Sequence, residues 1–192
     1  AVASDKARAA LERAERVLSH LLVLARVDAS AGEAVLTPVD LVTVAKEVTA
    51  EMVPSALARD IDLGFEGLET AEVAADPILL AELLRNLVSN AIAHAGRGAI
   101  VTVRVQSDAE QLVLEVEDNG PGLTEQQIAA VEAGRGAARP LPHLAKGQAN
   151  GMGLGLAVAV EIADLFSSGL RLGRGRSGTG LLASIAFRPL GA

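Results

Sequence analysis

Apolar residues open the chain at a regular beat: Ala7, Leu11, Ala14, Leu18, Leu21 and Ala25 follow one another at alternating steps of four and three. That is a heptad a/d stripe. Arg8, Glu12, Arg13, Glu15 and Arg16 lie between its positions, so the pattern predicts a helix over residues 4–28 with one solvated, charged face. Ser4 and Asp5 supply a plausible N-cap. Val17, Leu22 and Leu24 fall off the stripe, so the second half of this helix is expected to be covered on more than one side. A lone helix of this length is marginal in water and needs a partner, in its own chain or across a dimer. A small, polar linker at 29–33 follows.

The pattern then alternates between strand and helix periods. Residues 35–39 are extended, and Pro38 makes them a poor central strand. Asp40 caps a helix running to about residue 59, with Leu41, Val44, Val48 and Met52 on one face and Pro54 expected to kink it or end it early. Two short strands fit 61–65 and 72–74. Asp76-Pro77 opens a further helix, with Asp as N-cap and Pro at the first helical position. It continues through Leu79, Leu80, Leu83, Leu84, Leu87 and Val88 to about residue 95, where Gly96 and Gly98 stop it. Strict alternation marks strands at 100–106 and 111–118, joined by a turn at 107–110. The turn Asn119-Gly120-Pro121-Gly122 follows, and Thr124 with Gln127 three places on approaches a capping box. Residues 134–150 read as a long loop, 151–155 as a Gly-rich turn opening a last helix to about residue 166, and 170–173 and 181–187 as closing strands. The order predicts a helix followed by a domain whose sheet is mostly antiparallel, with its helices on one face.

Composition narrows the chemistry. Half of the 192 residues are hydrophobic but only 2% are aromatic, namely Phe65, Phe166 and Phe187, so the core is aliphatic. The absence of Tyr and Trp argues against base-stacking nucleic-acid modules. The absence of Cys removes disulfides, thiolate metal sites and cysteine nucleophiles together. His20, His94 and His143 show no metal-ligand spacing. A net charge of -7 disfavours nonspecific binding to DNA or anionic membranes, while leaving room for a nucleotide whose phosphates are offset locally. Mean hydropathy is +0.35, yet no apolar run reaches the ~18–20 residues of a spanning helix. The sequence has no signal-peptide pattern and does not begin with Met, and is expected to be a piece of a longer protein.

Three clusters carry candidate chemistry. Asn86, Asn90 and His94 recur at every fourth position, on one face of the 77–95 helix. An Asn carbonyl can coordinate Mg²⁺ without adding negative charge, although two amides on an exposed face need no function at all. Asp118-Asn119-Gly120-Pro121-Gly122-Leu123 places an acceptor-only carboxylate at a strand end, able to accept the exocyclic amino group of adenine; it also fits an ordinary turn. Gly151-Met152-Gly153-Leu154-Gly155-Leu156 brings backbone N–H groups and a helix N-terminus to bear on anions. It has neither the spacing of a Rossmann fingerprint nor the Gly-Lys-Ser/Thr of a Walker A loop.

In this order and spacing the three clusters resemble the N, G1 and G2 boxes of the catalytic ATP-binding domain of sensor histidine kinases, within the gyrase/Hsp90/histidine-kinase/MutL ATPase superfamily. The helix ending Leu21-Leu22-Val23-Leu24-Ala25-Arg26-Val27-Asp28 resembles the second helix of that family's dimerisation hairpin. The resemblance implies an α+β fold: a two-layer α/β sandwich of the Bergerat type, with a mixed, mostly antiparallel sheet and helices on one face, preceded by one long bundle helix. Residues 1–30 would be the hairpin helix, its first helix absent, and 31–192 the catalytic domain. The likeness also implies ATP and Mg²⁺ as cofactors. Asn90 would bind Mg²⁺, Asn86 would sit near the phosphates, and His94 at the adenosine edge. Asp118 would read adenine, flanked by Gly120, Gly122 and Leu123. Gly151, Met152, Gly153, Leu154, Gly155 and Leu156 would hold the phosphates, under a lid at 134–150. Superfamily members that hydrolyse ATP carry Glu where Asn86 stands. An amide cannot serve as that base, which favours phosphoryl transfer to a protein histidine and relay to a response-regulator Asp. The implied partners are that receiver domain and a second copy through the hairpin helices, with no nucleic acid and no membrane insertion by this piece. The implied setting is the cytoplasmic part of an inner-membrane protein.

The chain also departs from the family pattern. Ala93 stands where a phosphate-binding Lys is usual, with Lys146, Arg135 or Arg139 as substitutes; the F box is missing; Met152 replaces Ser or Thr; and Leu181 replaces the Thr of the closing Gly-x-Gly-Thr. No His-Glu/Asp-x-x-x-Pro segment is present to accept the phosphoryl group, and His20 reads as a bundle residue. These departures leave two rival expectations: a degenerate nucleotide-sensing or scaffolding module, and a superfamily serine kinase of the anti-sigma type.

Overall fold

The computed structural model describes residues 36–108, 110–128 and 152–190. The leading helix expected at 4–28 and the loop expected at 134–150 lie outside the described residues. The chain runs β1 (Thr37–Asp40), α1 (Leu41–Leu57), β2 (Asp62–Gly67), β3 (Glu72–Ala75), α2 (Pro77–His94), β4 (Ile100–Asp108), β5 (Gln111–Asp118), α3 (Met152–Leu165), β6 (Leu170–Arg174) and β7 (Leu181–Phe187).

Five strands form one sheet in the order β2-β4-β5-β7-β6, with β2 parallel to β4 and the other pairs antiparallel. β1 and β3 stand apart as an antiparallel ribbon, extended by a bridge between Val73 and Pro189. The sequence pattern placed these short strands but gave no sign that they leave the main sheet. Local alternation reports which residues are extended, not which distant strand they pair with.

One face of the sheet is dry. Val101, Val103 and Val105 of β4, Leu112, Leu114 and Val116 of β5, and Leu181, Ala183, Ile185 and Phe187 of β7 are all buried. The helices cover that face, α1 over β2 and β4, α2 over β4 and β5, and α3 over β6, while α2 packs along both α1 and α3. Leu80, Leu83 and Leu84 of α2 and Ile162 of α3 are among the largest fully buried side chains, with Leu114 and Ile185 of the sheet. The predicted α+β two-layer arrangement with helices on one face holds. Among the described residues no helix is long and apolar enough to cross a membrane.

The helix starts follow their caps. Asp76 accepts from the N–H groups of Ile78 and Leu79 at 2.9 and 3.1 Å, with Pro77 next in line. Asp40 accepts from Val42 N–H at 3.1 Å and also from Ala71 N–H at 2.9 Å, so one carboxylate caps α1 and holds the β2–β3 connection. Thr124 and Gln127 form the reciprocal capping box: Gln127 Oε1 accepts from Thr124 N–H at 2.8 Å, and Thr124 Oγ1 from Gln127 N–H at 3.3 Å.

Three expectations are corrected. Pro54 does not end α1, which continues to Leu57; in the last turn a proline forfeits a single hydrogen bond. Ser107 and Asp108 belong to β4 rather than to a turn, because Asp108 pairs with Gln111. The turn read at 151–155 is already helix from Met152.

Candidate functional site

Asn90, His94, Asp118, Gly122, Leu123 and Leu181 line one pocket. Three separate elements build it. α2 brings Asn90 and His94 to its rim from one helical face. β5 ends at Asp118 and runs into the turn carrying Gly122 and Leu123. β7 begins at Leu181, so its first residue meets the last residue of β5.

Asp118 is buried, and its Oδ1 accepts from Gly120 N–H at 2.9 Å and from Leu181 N–H at 3.4 Å. Both of these bonds go to one oxygen, which fixes the carboxylate plane and leaves Oδ2 as the atom with acceptor capacity. Burial pushes the Asp118 carboxyl above the ordinary carboxylate range; the two backbone N–H groups and the nearby His94 pull the other way without overcoming it.

The turn after Asp118 is pressed against its neighbours so closely that only glycine fits. A Cβ on Gly120 would lie 2.5 Å from Ala95 Cα at the C-terminus of α2. Gly180 has φ +78°, and a Cβ there would overlap the Asp118 carbonyl oxygen. Asn119 ties the same turn to the start of β4, its Oδ1 accepting from Ile100 N–H at 2.8 Å. The backbone around Asp118 is therefore held from three sides.

Asn86, one turn before Asn90, is buried but is not among the pocket-lining residues. Its Nδ2 donates to the Glu82 carbonyl at 2.9 Å and to Glu82 Oε1 at 3.0 Å. With the amide nitrogen engaged there, Oδ1 turns toward α3, 3.2 Å from where a Cβ on Gly155 would stand. Gly155 thus lets α3 approach the Asn86 side chain.

The remaining residues expected at the site divide as follows. Gly120 supports the pocket from behind, against Ala95. Met152, Gly153 and Leu154 are the first residues of α3. Leu156 is buried in the hydrophobic core, so it contributes packing. Lys146 and Gly151 lie outside the described residues. Leu181 is a pocket residue that sequence reasoning did not assign. The signal available was the Gly178-Thr179-Gly180 run before it, but what Leu181 brings to Asp118 is a backbone N–H, which leaves no trace in side-chain chemistry.

Comparison with known proteins agrees with this architecture. The chain is 35% identical over 173 residues to the sensor protein kinase PmrB of Pseudomonas aeruginosa, a match covering 89% of this chain and 35% of PmrB. It spans about a third of the length of the curated relatives it matches. Among solved structures, full-length ShkA in complex with AMPPNP superposes with a TM-score of 0.71 at 23% identity, covering 96% of this chain and 39% of ShkA. The cytoplasmic segment of the histidine kinase QseC superposes at 0.63 and 21% identity, covering 93% and 95% of the two chains. Residues 75–188, from the end of β3 to the end of β7 and so including every pocket residue, match the ATPase domain shared by histidine kinases, DNA gyrase B and HSP90, and the chain belongs to that ATP-using family.

Proposed function

We propose that this chain is the ATP-binding catalytic part of a two-component sensor histidine kinase, passing the γ-phosphoryl group of ATP to a histidine outside the chain for relay to a response-regulator Asp. The observation that carries the reading is Asp118: a buried carboxylate with one oxygen fixed by two backbone donors and the other available to a ligand in the pocket that Asn90 and His94 also line. An ionised carboxylate accepts the exocyclic amino group of adenine, whereas guanine presents a carbonyl there and leaves the buried acceptor unpaired. Leu123 and Leu181 supply apolar walls beside the Gly122 backbone, and among the described residues the only ring in the lining is the imidazole of His94.

Among the described residues no cluster of His, Asp and Glu is arranged to hold a metal. A Mg²⁺ brought in by the nucleotide suits the neutral carbonyl of Asn90, since the triphosphate already supplies the negative charge. When bound, that ion would neutralise charge on the transferring phosphoryl group. Asn86 has an amide where a water-activating base would be needed, which supports transfer over hydrolysis. On this reading residues 1–30, which lie outside the described residues, would supply the second helix of a dimerisation hairpin, by which the full-length protein would form a homodimer. A setting on the cytoplasmic side of an inner membrane follows from the same reading.

Calorimetry with ATP and Mg²⁺ tests the binding step. Wild type should bind and Asp118→Asn should lose at least tenfold in affinity, since the amide replaces an acceptor by a group that also donates. Absence of binding by wild type would overturn the reading. Incubation of the chain with [γ-³²P]ATP and a separate hairpin bearing the phosphoacceptor His then tests transfer. A labelled hairpin supports the kinase, while binding without label identifies a nucleotide-sensing module.

A further inference from the structure

The face of the sheet away from the helices carries a knot of charge, which reaches Glu117, the residue before Asp118. Arg104 on β4 meets Glu66 on β2 at 2.9 Å, and Glu115 and Glu117 on β5 at 3.3 and 3.2 Å. The second cation of the knot comes from the turn between β6 and β7. Arg176 Nη2 reaches Glu115 Oε2 at 2.6 Å and Gln106 Oε1 at 3.3 Å, its Nε lies 3.7 Å from Glu117 Oε2, and its backbone N–H donates to Glu117 Oε1 at 2.5 Å. Glu115 is only 8% exposed at its side chain and is held by these two guanidiniums together with Gln106, whose Nε2 donates to its Oε1 at 3.1 Å.

The segment that Arg176 anchors is the one that closes the pocket. Its backbone is a tight turn, Gly178 N–H donating to the Gly175 carbonyl at 2.9 Å and Gly175 N–H to the Gly180 carbonyl at 3.3 Å. From that turn the chain passes Gly180, which lies against the Asp118 carbonyl and beside Gly122, and reaches Leu181, whose N–H fixes Asp118 Oδ1. Among the described residues Arg176 is the only side chain of this turn with an ion pair or hydrogen bond to the sheet: Ser177 and Thr179 bond only each other, at 3.2 Å.

We propose that Arg176 is a positioning residue for adenine recognition: by pinning the β6–β7 turn to Glu115 and Glu117 it holds the Leu181 N–H on Asp118 Oδ1, so that the other carboxylate oxygen is presented to the base. The inference rests on the ATP-binding reading above. It places a specificity determinant on the far side of the sheet from the ligand, acting through β5 and the turn rather than by contact.

The test titrates the full chain with ATP and, separately, GTP, for wild type, Arg176→Ala and Arg176→Lys, and follows amide hydrogen exchange at Leu181. Arg176→Ala should weaken ATP binding about tenfold while weak GTP binding stays as it was, so the preference for ATP falls by the same factor. Exchange at Leu181 should speed up while amides within the β4–β5 ladder keep their protection. Arg176→Lys should recover part of the preference, because an ammonium can still pair with one carboxylate. An Arg176→Ala protein with wild-type preference and wild-type protection at Leu181 overturns the proposal. So does loss of the cooperative thermal transition in both variants, which would make Arg176 a purely structural residue. Failure of wild type itself to bind ATP overturns the parent reading, and this one with it, and is distinguishable because it does not involve the variants.

Discussion

At the scale of single residues the site is governed by one carboxylate kept out of water. Burial raises the pKa of Asp118, so the folded state favours its protonated form. The stability contributed by that proton is fully present below the unfolded-state pKa and is lost as pH rises through the higher folded-state value. At neutral pH the ionised group is therefore a cost to the fold, and Asp118→Asn, whose carbonyl can still accept from Gly120 and Leu181, should melt at a higher temperature than wild type. The gap should close as pH is lowered through the folded-state pKa. Nucleotide affinity should move the opposite way, falling in wild type over the same interval, because a protonated carboxyl no longer presents a pure acceptor. A set of thermal melts and ATP titrations between pH 4 and 7 checks both; a destabilised Asp118→Asn at neutral pH would contradict the assignment of burial as the dominant influence.

Single elements are set by their ends. Asp40 joins β1 to α1 and also holds the Ala71 amide, so it ties together three parts of the chain. Burial alone would raise its pKa, but the Thr43 hydroxyl and the N–H groups of Ala71, Val42 and Thr43 together hold it below the ordinary carboxylate value. Its contribution is thus present above the unfolded-state pKa and is lost as pH falls through the lower folded-state one. Asp40→Ala should destabilise the domain by about 1–2 kcal/mol at neutral pH, read as a shifted denaturation midpoint, with the deficit shrinking in acid. Caps such as this one, and the alternation in β4, β5 and β7, were legible from sequence because their causes lie within a few residues. The start of α3 was not. Gly153 and Gly155 read as loop by propensity, yet they are helical, and Gly155 stands close against Asn86, where a Cβ would come 3.2 Å from Oδ1. In the same way Asp118, Asn90 and His94 announced themselves by residue type, whereas nothing in the sequence marked Arg176, which the fold sets beside Glu115.

The whole molecule is organised by pairings that local pattern cannot specify: β2 parallel to β4, the β1–β3 ribbon, and above all β7 beside β5. That last pairing brings Leu181 onto Asp118 from 63 positions away along the chain. A cut between residues 129 and 151 would divide the protein into a piece holding β1 to β5, with Asn90, His94 and Asp118, and a piece holding α3, β6 and β7, with Leu181. What joins β5 to β7 and α2 to α3 would then act between two molecules, as a complementation pair. Co-expressed, the pieces should reassemble, and ATP should tighten the union because the pocket takes walls from both. Assembly indifferent to nucleotide would mean that the pocket does not sit on that seam. A domain split at this point would be a nucleotide-dependent association switch, with its sensitivity set by how firmly the second piece seats its first strand residue on the carboxylate of the first.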